Sequence, residues 1–168
     1  MRVLVTGGGG YLGTWLVSVL LDAGHGVRVL DRFCFGEASI GEFLAHPDFD
    51  CVRGDIRRLQ ELPELFAGVD AVVHLAGLAN DPSCDLDPAM TQDVNVDAAV
   101  ELAQCAQRAG VSCFVLASSC SVYGQGAHEF LDEESPMNPV SAYAQSKVEA
   151  EPAILGMQSE TFTPVAAR

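Results

Sequence analysis

The chain has 168 residues, 49% of them hydrophobic, a mean hydropathy of +0.22 and a formal charge of −14 at pH 7. That length suffices for one domain with a real core and makes two full domains implausible. The charge, with a pI near 4.4 and no basic stripe, excludes nucleic acid as a partner. The longest apolar run is broken by Thr14 and Ser18 and closed by Asp22, too short and too polar for a membrane span. The N-terminus reads as a strand and a turn instead of a secretion signal, so a cytoplasmic protein is expected. Six cysteines form no C-x-x-C pair, and most sit in apolar segments. They are expected to behave as reduced, small hydrophobes and to build neither a disulfide framework nor a zinc site.

In chain order, "RVLVT" at 2–6 is a short β-rich run that breaks into "GGGG" before "YLGTWLVSVLLDAG", whose apolar residues recur at helical spacing. "HGVRVLD" at 25–31, "DFDCVRGD" at 48–55 and "VDAVVHLAG" at 69–77 read as the next three strands, each buried on both faces. Helical patterns lie between them, around "IGEFLAH" and around "RRLQELPELF" with Pro63 as a breaker. A long one runs over about 88–110. "VSCFVLASS" at 111–119 is a fifth strand. A further helix follows in "NPVSAYAQSKVEAEPAILGM", which Pro152 should kink or end early, and "TFTPVAAR" opens a sixth strand. Alternating apolar strands and helices predict right-handed crossovers and a doubly wound α/β domain with a parallel sheet. The long irregular stretches, 77–88 and 120–138, both follow strands, where such sheets place their ligand loops.

The spacing of Gly7, Gly10 and Gly13 between a strand and a helix suits a phosphate turn. One glycine permits the bend, one admits a pyrophosphate to the backbone and one lets helix and strand approach. The N–H groups at a helix start then offer an anion site even in an acidic protein. A merely flexible turn is the alternative reading of four consecutive glycines. Asp31, ending the next strand, favours it less, because its carboxylate can accept from ribose hydroxyls and would repel a 2′-phosphate. NAD is therefore expected over NADP, with Arg32 partly offsetting the repulsion.

The chain's one lysine, Lys147, stands four residues after Tyr143 in a predicted helix, on the same face. An ammonium beside a phenol is expected to lower the tyrosine pKa towards the range of a general base, and lysine suits ribose hydroxyls where arginine's fork does not. An incidental surface pair is the alternative. In "SSCSVYG" at 118–124, Ser119 at a strand end could hold a substrate hydroxyl, or simply mark a turn. His74, inside an apolar strand, reads as a satisfied core histidine.

The segments "VLVTGGGGYLG", "VLDRF", "GDIR", "VVHLAGLA", "VN" at 94–95, "SSCSVYG" and "YAQSK" occur in the order found in a known family. The chain resembles the extended short-chain dehydrogenase/reductases, in particular the NAD-dependent nucleotide-sugar epimerase/dehydratase family, and among these most resembles the UDP-glucose 4-epimerases. The resemblance implies a Rossmann-like domain over 1–168 and NAD as cofactor. It places Gly7, Gly10, Tyr11, Leu12 and Gly13 at the pyrophosphate, Asp31 at the adenosine ribose and Asp55 and Ile56 at adenine. Leu75, Ala76, Gly77 and Asn95 would border the cofactor. It implies a catalytic set of Ser119, Tyr143 and Lys147, which would also touch the cofactor through Tyr143 and Lys147. The family's 4,6-dehydratases carry an Asp-Glu pair where this chain has Cys120 and Ser121, so dehydration by that route is disfavoured.

Members of that family are about twice this length, and the resemblance implies that the C-terminal substrate part is absent here. Three readings stay open: a sugar-nucleotide epimerase or oxidoreductase acting on a small-molecule substrate, an NAD-binding module without catalysis, and a reductase of hydroxysteroid or phenylpropanoid-type carbonyls. Uncovered apolar faces make a homo-oligomer the expected state.

Overall fold

The computed structural model describes residues 1–124 and 130–168. Six strands, β1 (Arg2–Thr6), β2 (Gly26–Asp31), β3 (Phe49–Arg53), β4 (Ala71–His74), β5 (Cys113–Ala117) and β6 (Thr163–Ala167), form one sheet in the order β3-β2-β1-β4-β5-β6. Every pairing is parallel. This is the doubly wound architecture read from the strand and helix alternation. β1 lies centrally, and the chain leaves it towards β2 on one side and, later, towards β4 on the other. The crevice between the ends of β1 and β4 is thus the switch point of the sheet.

The strands present alternate residues to two cores. Leu4, Leu30, Val72, Phe114 and Leu116 face one side, with Leu102, Ala106, Ile154 and Phe162 packed over them. Val3, Val5, Val27 and Val29 face the other, under Val17, Leu21, Phe33 and Ile40. The outermost strands depart from the expected burial on both faces. Cys51 and Arg53 of β3, and Thr163 and Val165 of β6, are exposed because each strand has a neighbour on only one edge.

The helices are α1 (Tyr11–Asp22), α2 (Asp81–Leu86), α3 (Pro88–Gln92), α4 (Ala98–Arg108) and α5 (Ala142–Leu155). The segments expected as helices near "IGEFLAH" and "RRLQELPELF" are short 3₁₀ turns, Ala38–Phe43 and Ile56–Glu61, the second kinked at Arg58. They are too short to repay helix nucleation by themselves. The expected long helix is interrupted by a π turn at Asp93–Asp97, where the Ala98 N–H reaches back to the Asp93 carbonyl. The wider turn brings Val94, Asn95 and Val96, three consecutive residues, all inside. The stretch expected to be irregular at 77–88 holds α2, capped by the Asn80 side chain on the Ser83 N–H. Of the other, 120–138, residues 125–129 lie outside the described residues, and Cys120–Tyr123 forms a 3₁₀ turn.

Pro152 neither ends nor breaks α5, which continues to Leu155. A proline there removes only its own donation to the Val148 carbonyl, three residues before the helix stops. The Gly156 N–H then closes on the Pro152 carbonyl at 2.9 Å. The buried Ala144, Ala150 and Ile154 hold the helix against the sheet. Among the described residues no helix is long and apolar enough to cross a membrane. The cysteines differ from expectation: Cys84 alone is buried among the six, while Cys34, Cys51 and Cys120 are exposed. All six are free thiols.

Candidate active site

The glycine turn is built by contact as much as by flexibility. Gly7 has φ +74°, and a Cβ there would lie 2.7 Å from the Ala76 N and 2.9 Å from the carbonyl carbon of Leu75. The loops leaving β1 and β4 therefore touch at this point, with Leu75 and Ala76 half-buried beside the turn. A Cβ on Gly13 would strike the Gly7 oxygen and lie 2.6 Å from Gly8 Cα, so α1 rests directly on the turn. Gly10 is the N-cap of α1, and a Cβ there would lie 3.2 Å from the Gly7 carbonyl oxygen. No side chain caps that helix start among the described residues, and Tyr11 and Leu12 stand exposed on its first turn. A bare helix N-terminus over a glycine cradle fits a pyrophosphate.

Asp31 ends β2 beside that cradle. Its Oδ2 accepts from the Gly9 N–H at 2.9 Å and its Oδ1 from the Phe33 N–H at 2.7 Å. The carboxylate is thereby aimed and half-buried at the rim. Sequence reasoning missed its supports. A Cβ on Gly9 would meet the Phe33 ring at 2.9 Å, and the Ser39 hydroxyl donates to the Gly9 carbonyl at 2.8 Å. Arg32 lies towards Asp55, 3.5 Å from Oδ2. Asp55 is paired more closely with Arg57 (2.6 Å), whose hydrogen bond holds the Asp55 carboxyl down to about 2. Ile56 is buried and its side chain belongs to the core, so only its backbone is left to border a ligand.

Asn95 is 2% exposed and its amide is fully engaged inside the protein. Its oxygen accepts from the Leu78 N–H (2.8 Å), and its NH₂ donates to the Leu78 carbonyl (3.0 Å) and to Ser146 Oγ (3.2 Å). It pins the loop after β4 to α5. A Cβ on Gly77 would reach the Asn95 oxygen at 2.9 Å, which explains the glycine.

Ser119, Tyr143 and Lys147 come together across the ends of β5 and α5. Ser119 follows β5 and is the N-cap of the Cys120–Tyr123 turn, its Oγ accepting from the Ser121 N–H (3.1 Å) and contacting Ser121 Oγ (2.8 Å). Tyr143 lies in the first turn of α5, half-buried. The Ser141 hydroxyl caps α5 by accepting from the Ala144 N–H, and itself donates to Asp81 at 2.7 Å. Lys147 is 7% exposed. Its Nζ donates to the Ala117 carbonyl at 2.8 Å and lies 5.7 Å from the centre of the Tyr143 ring.

The expected lowering of the Tyr143 pKa by Lys147 is not what the geometry produces. Burial pushes the phenol up; the Ser119 hydroxyl opposes this, while Cys84, Asp81 and Cys120 add to the rise. Lys147 is itself lowered to about 8 by burial, against upward pulls from Cys84 and Glu151, and its ammonium is committed to a backbone carbonyl. His74 is the core histidine expected: 2% exposed, with Nδ1 2.7 Å from Thr6 Oγ1, and pushed to about 3 by burial.

The model of the NAD dependent epimerase/dehydratase family matches residues 3–168. The chain belongs to that family. UDP-glucose 4-epimerase of Neisseria meningitidis serogroup B is 34% identical to it over 152 residues, covering 87% of this chain and 45% of the relative. Among solved structures, UDP-glucose-4-epimerase from Stenotrophomonas maltophila with bound NAD and formylated UDP-arabinopyranose superposes with a TM-score of 0.91. It shares 29% identity and covers all of this chain and 52% of that one. The Bordetella bronchiseptica enzyme WbmG in complex with NAD gives a TM-score of 0.85 at 28% identity, with coverages of 100% and 52%. The chain therefore spans about half the length of the epimerase/dehydratase family members it matches. NAD is the cofactor of this epimerase/dehydratase family, and the bare helix start, the glycine cradle and the aimed Asp31 fit it.

Proposed function

We propose that this chain is the cofactor-binding and proton-transferring half of a nucleotide-sugar 4-epimerase. The observation that carries the reading is the convergence of Ser119, Tyr143 and Lys147 at the ends of β5 and α5, on the side of the sheet where the glycine turn opens. Gly7, Gly10, Tyr11, Leu12 and Gly13 would hold the pyrophosphate of NAD and Asp31 its adenosine ribose. The backbones of Asp55 and Ile56 would border the adenine, and Leu75, Ala76 and Gly77 the floor, with Asn95 keeping that floor in place. NAD, when bound, supplies a reversible hydride acceptor.

The protein's own part is the proton. Ser119 would orient a sugar hydroxyl towards the Tyr143 phenol, which takes its proton and later returns it. In the structure as it stands the phenol retains its proton, which suits the returning half of the cycle. The taking half requires the phenolate, which the Ser119 hydroxyl is the neighbour to favour. Cys120 and Ser121 offer no carboxyl pair for elimination of water, and Ser121 is spent on Ser119. This supports epimerisation over dehydration.

The half-length coverage favours one second reading, an NAD-binding module that does not turn over by itself. Two measurements separate them. The purified chain, denatured, should release stoichiometric NAD plus NADH. The folded chain should interconvert UDP-glucose and UDP-galactose, with Tyr143→Phe slower by roughly 10²–10⁴-fold. NAD without turnover would select the module; no dinucleotide and no binding on titration would refute both.

A further inference from the structure

Beyond the three clustered residues, α5 carries a second buried charge. Glu151 is 1% exposed, one helical turn past Lys147 and two past Tyr143 on the same face. Its Oε1 accepts from the Ser118 hydroxyl, and Arg168, following β6, grips Oε2 through Nε (2.9 Å) and Nη2 (2.7 Å). Arg168 Nη1 continues to the Tyr123 hydroxyl (3.1 Å) and the Glu133 carbonyl (3.0 Å), with its guanidinium over the Tyr123 ring. Consecutive turns of α5 therefore hold Ala117, through Lys147, and Ser118, through Glu151. These are the two residues immediately before Ser119. A buried ion pair is poor value for stability alone, since apolar residues of similar volume often serve as well.

We propose that Glu151 is a positioning residue for Ser119, Tyr143 and Lys147: clamped by Arg168, it holds the end of β5 against their face of α5 and is the anion that balances the Lys147 ammonium inside the fold. The inference rests on reading Tyr143 and Lys147 as the proton-transfer pair, but its test needs neither NAD nor turnover. The groups facing Lys147 are Tyr143 and Glu151 from its own helix, neutral His74 from β4, the Cys84 thiol from α2 and the Ala117 carbonyl from β5. Arg168, at the end of β6, acts on it through Glu151. Glu151 is the carboxylate among them.

Because the chain has one lysine, protein labelled with ¹³C at lysine Cε gives one resonance for the Lys147 ammonium. Its titration in the full chain should fall near about 8. Glu151→Gln should lower the midpoint by about one unit. Arg168→Met, which leaves the carboxylate without its counter-charge, should raise it. A merely structural role predicts otherwise for Glu151→Gln, because loosened packing hydrates Lys147 and moves that variant, like Arg168→Met, up towards 10.5. If Glu151→Gln does not fold, the double variant Glu151→Gln/Arg168→Met, which buries no charge at this point, is compared with Arg168→Met. A lower midpoint in the double variant supports the proposal. Equal midpoints, or Glu151→Gln titrating at or above the wild-type value, overturn it.

Discussion

Acid should unfold this protein through His74. The ring is 2% exposed, packs 6.0 Å from Phe114, and meets Thr6 Oγ1 at 2.7 Å. The Ala76 N–H lies 3.4 Å from the same Thr6 oxygen, so the hydroxyl proton is free to point at Nδ1, the arrangement of a neutral imidazole. Burial first, and the Lys147 charge second, push the histidine from 6.5 to about 3. A depressed histidine means that the unfolded chain binds the extra proton between those values. The stabilisation is complete above pH 6.5 and is lost as pH falls towards 3. At 1.36 kcal/mol per unit, the full window is worth roughly 5 kcal/mol, and the step from pH 7 to 4.5 about 2.5 kcal/mol. Against a typical total of about 5–15 kcal/mol this decides whether the fold survives mild acid.

The comparison variant is His74→Asn, whose amide oxygen can take the place of Nδ1 before Thr6 but does not titrate. It should be less stable than wild type at pH 7, having lost the packing on Phe114, yet its urea midpoint should fall much less between pH 7 and 4.5. Histidines elsewhere are common to both proteins and cancel. Parallel pH dependences for the two, or a His74 resonance in the folded protein titrating near 6.5, would refute the reasoning.

Gly13→Ala should destabilise by about 1–3 kcal/mol, because the atoms its Cβ would meet are backbone atoms of Gly7 and Gly8 that cannot step aside. Thermal melts with and without NAD should show a lower Tm and a lost ligand shift, and an unchanged shift would contradict the packing argument. Asp31→Ala removes the acceptor for the Gly9 and Phe33 N–H groups, so NAD affinity should fall about tenfold, one charged hydrogen bond's worth. Competition titration with NADP should show a narrowed preference. A preference as wide as wild type would place the ribose elsewhere.

The glycine turn and the strand and helix alternation were legible because each depends on local pattern: period, breakers and spacing. Tyr143, Lys147 and Ser119 were legible for the same reason, two by helical offset and one by its place after a strand. Pro152 was misjudged because its penalty depends on how close the helix is to its end, and the long helix over 88–110 because a π turn answers to what must be buried around it. The state of the Tyr143 phenol was also misjudged. An i, i+4 offset places the two residues on one face, but the Lys147 ammonium turns to the Ala117 carbonyl, a partner thirty residues away.

By itself, the sequence determined a doubly wound sheet, a glycine turn between β1 and α1, and the places of Ser119, Tyr143 and Lys147 at element ends, since short-range sterics and hydrophobic period act along the chain. Only the tertiary structure decided what those groups are at neutral pH and what holds them. It made His74 neutral, drew Lys147 down to about 8, kept the proton on Tyr143, and brought Glu151 and Arg168, from a helix and the end of a strand, together against Ser118, the residue before Ser119. Burial and long-range pairing set those properties, because desolvation and Coulomb energy depend on neighbours in space and not on neighbours in sequence.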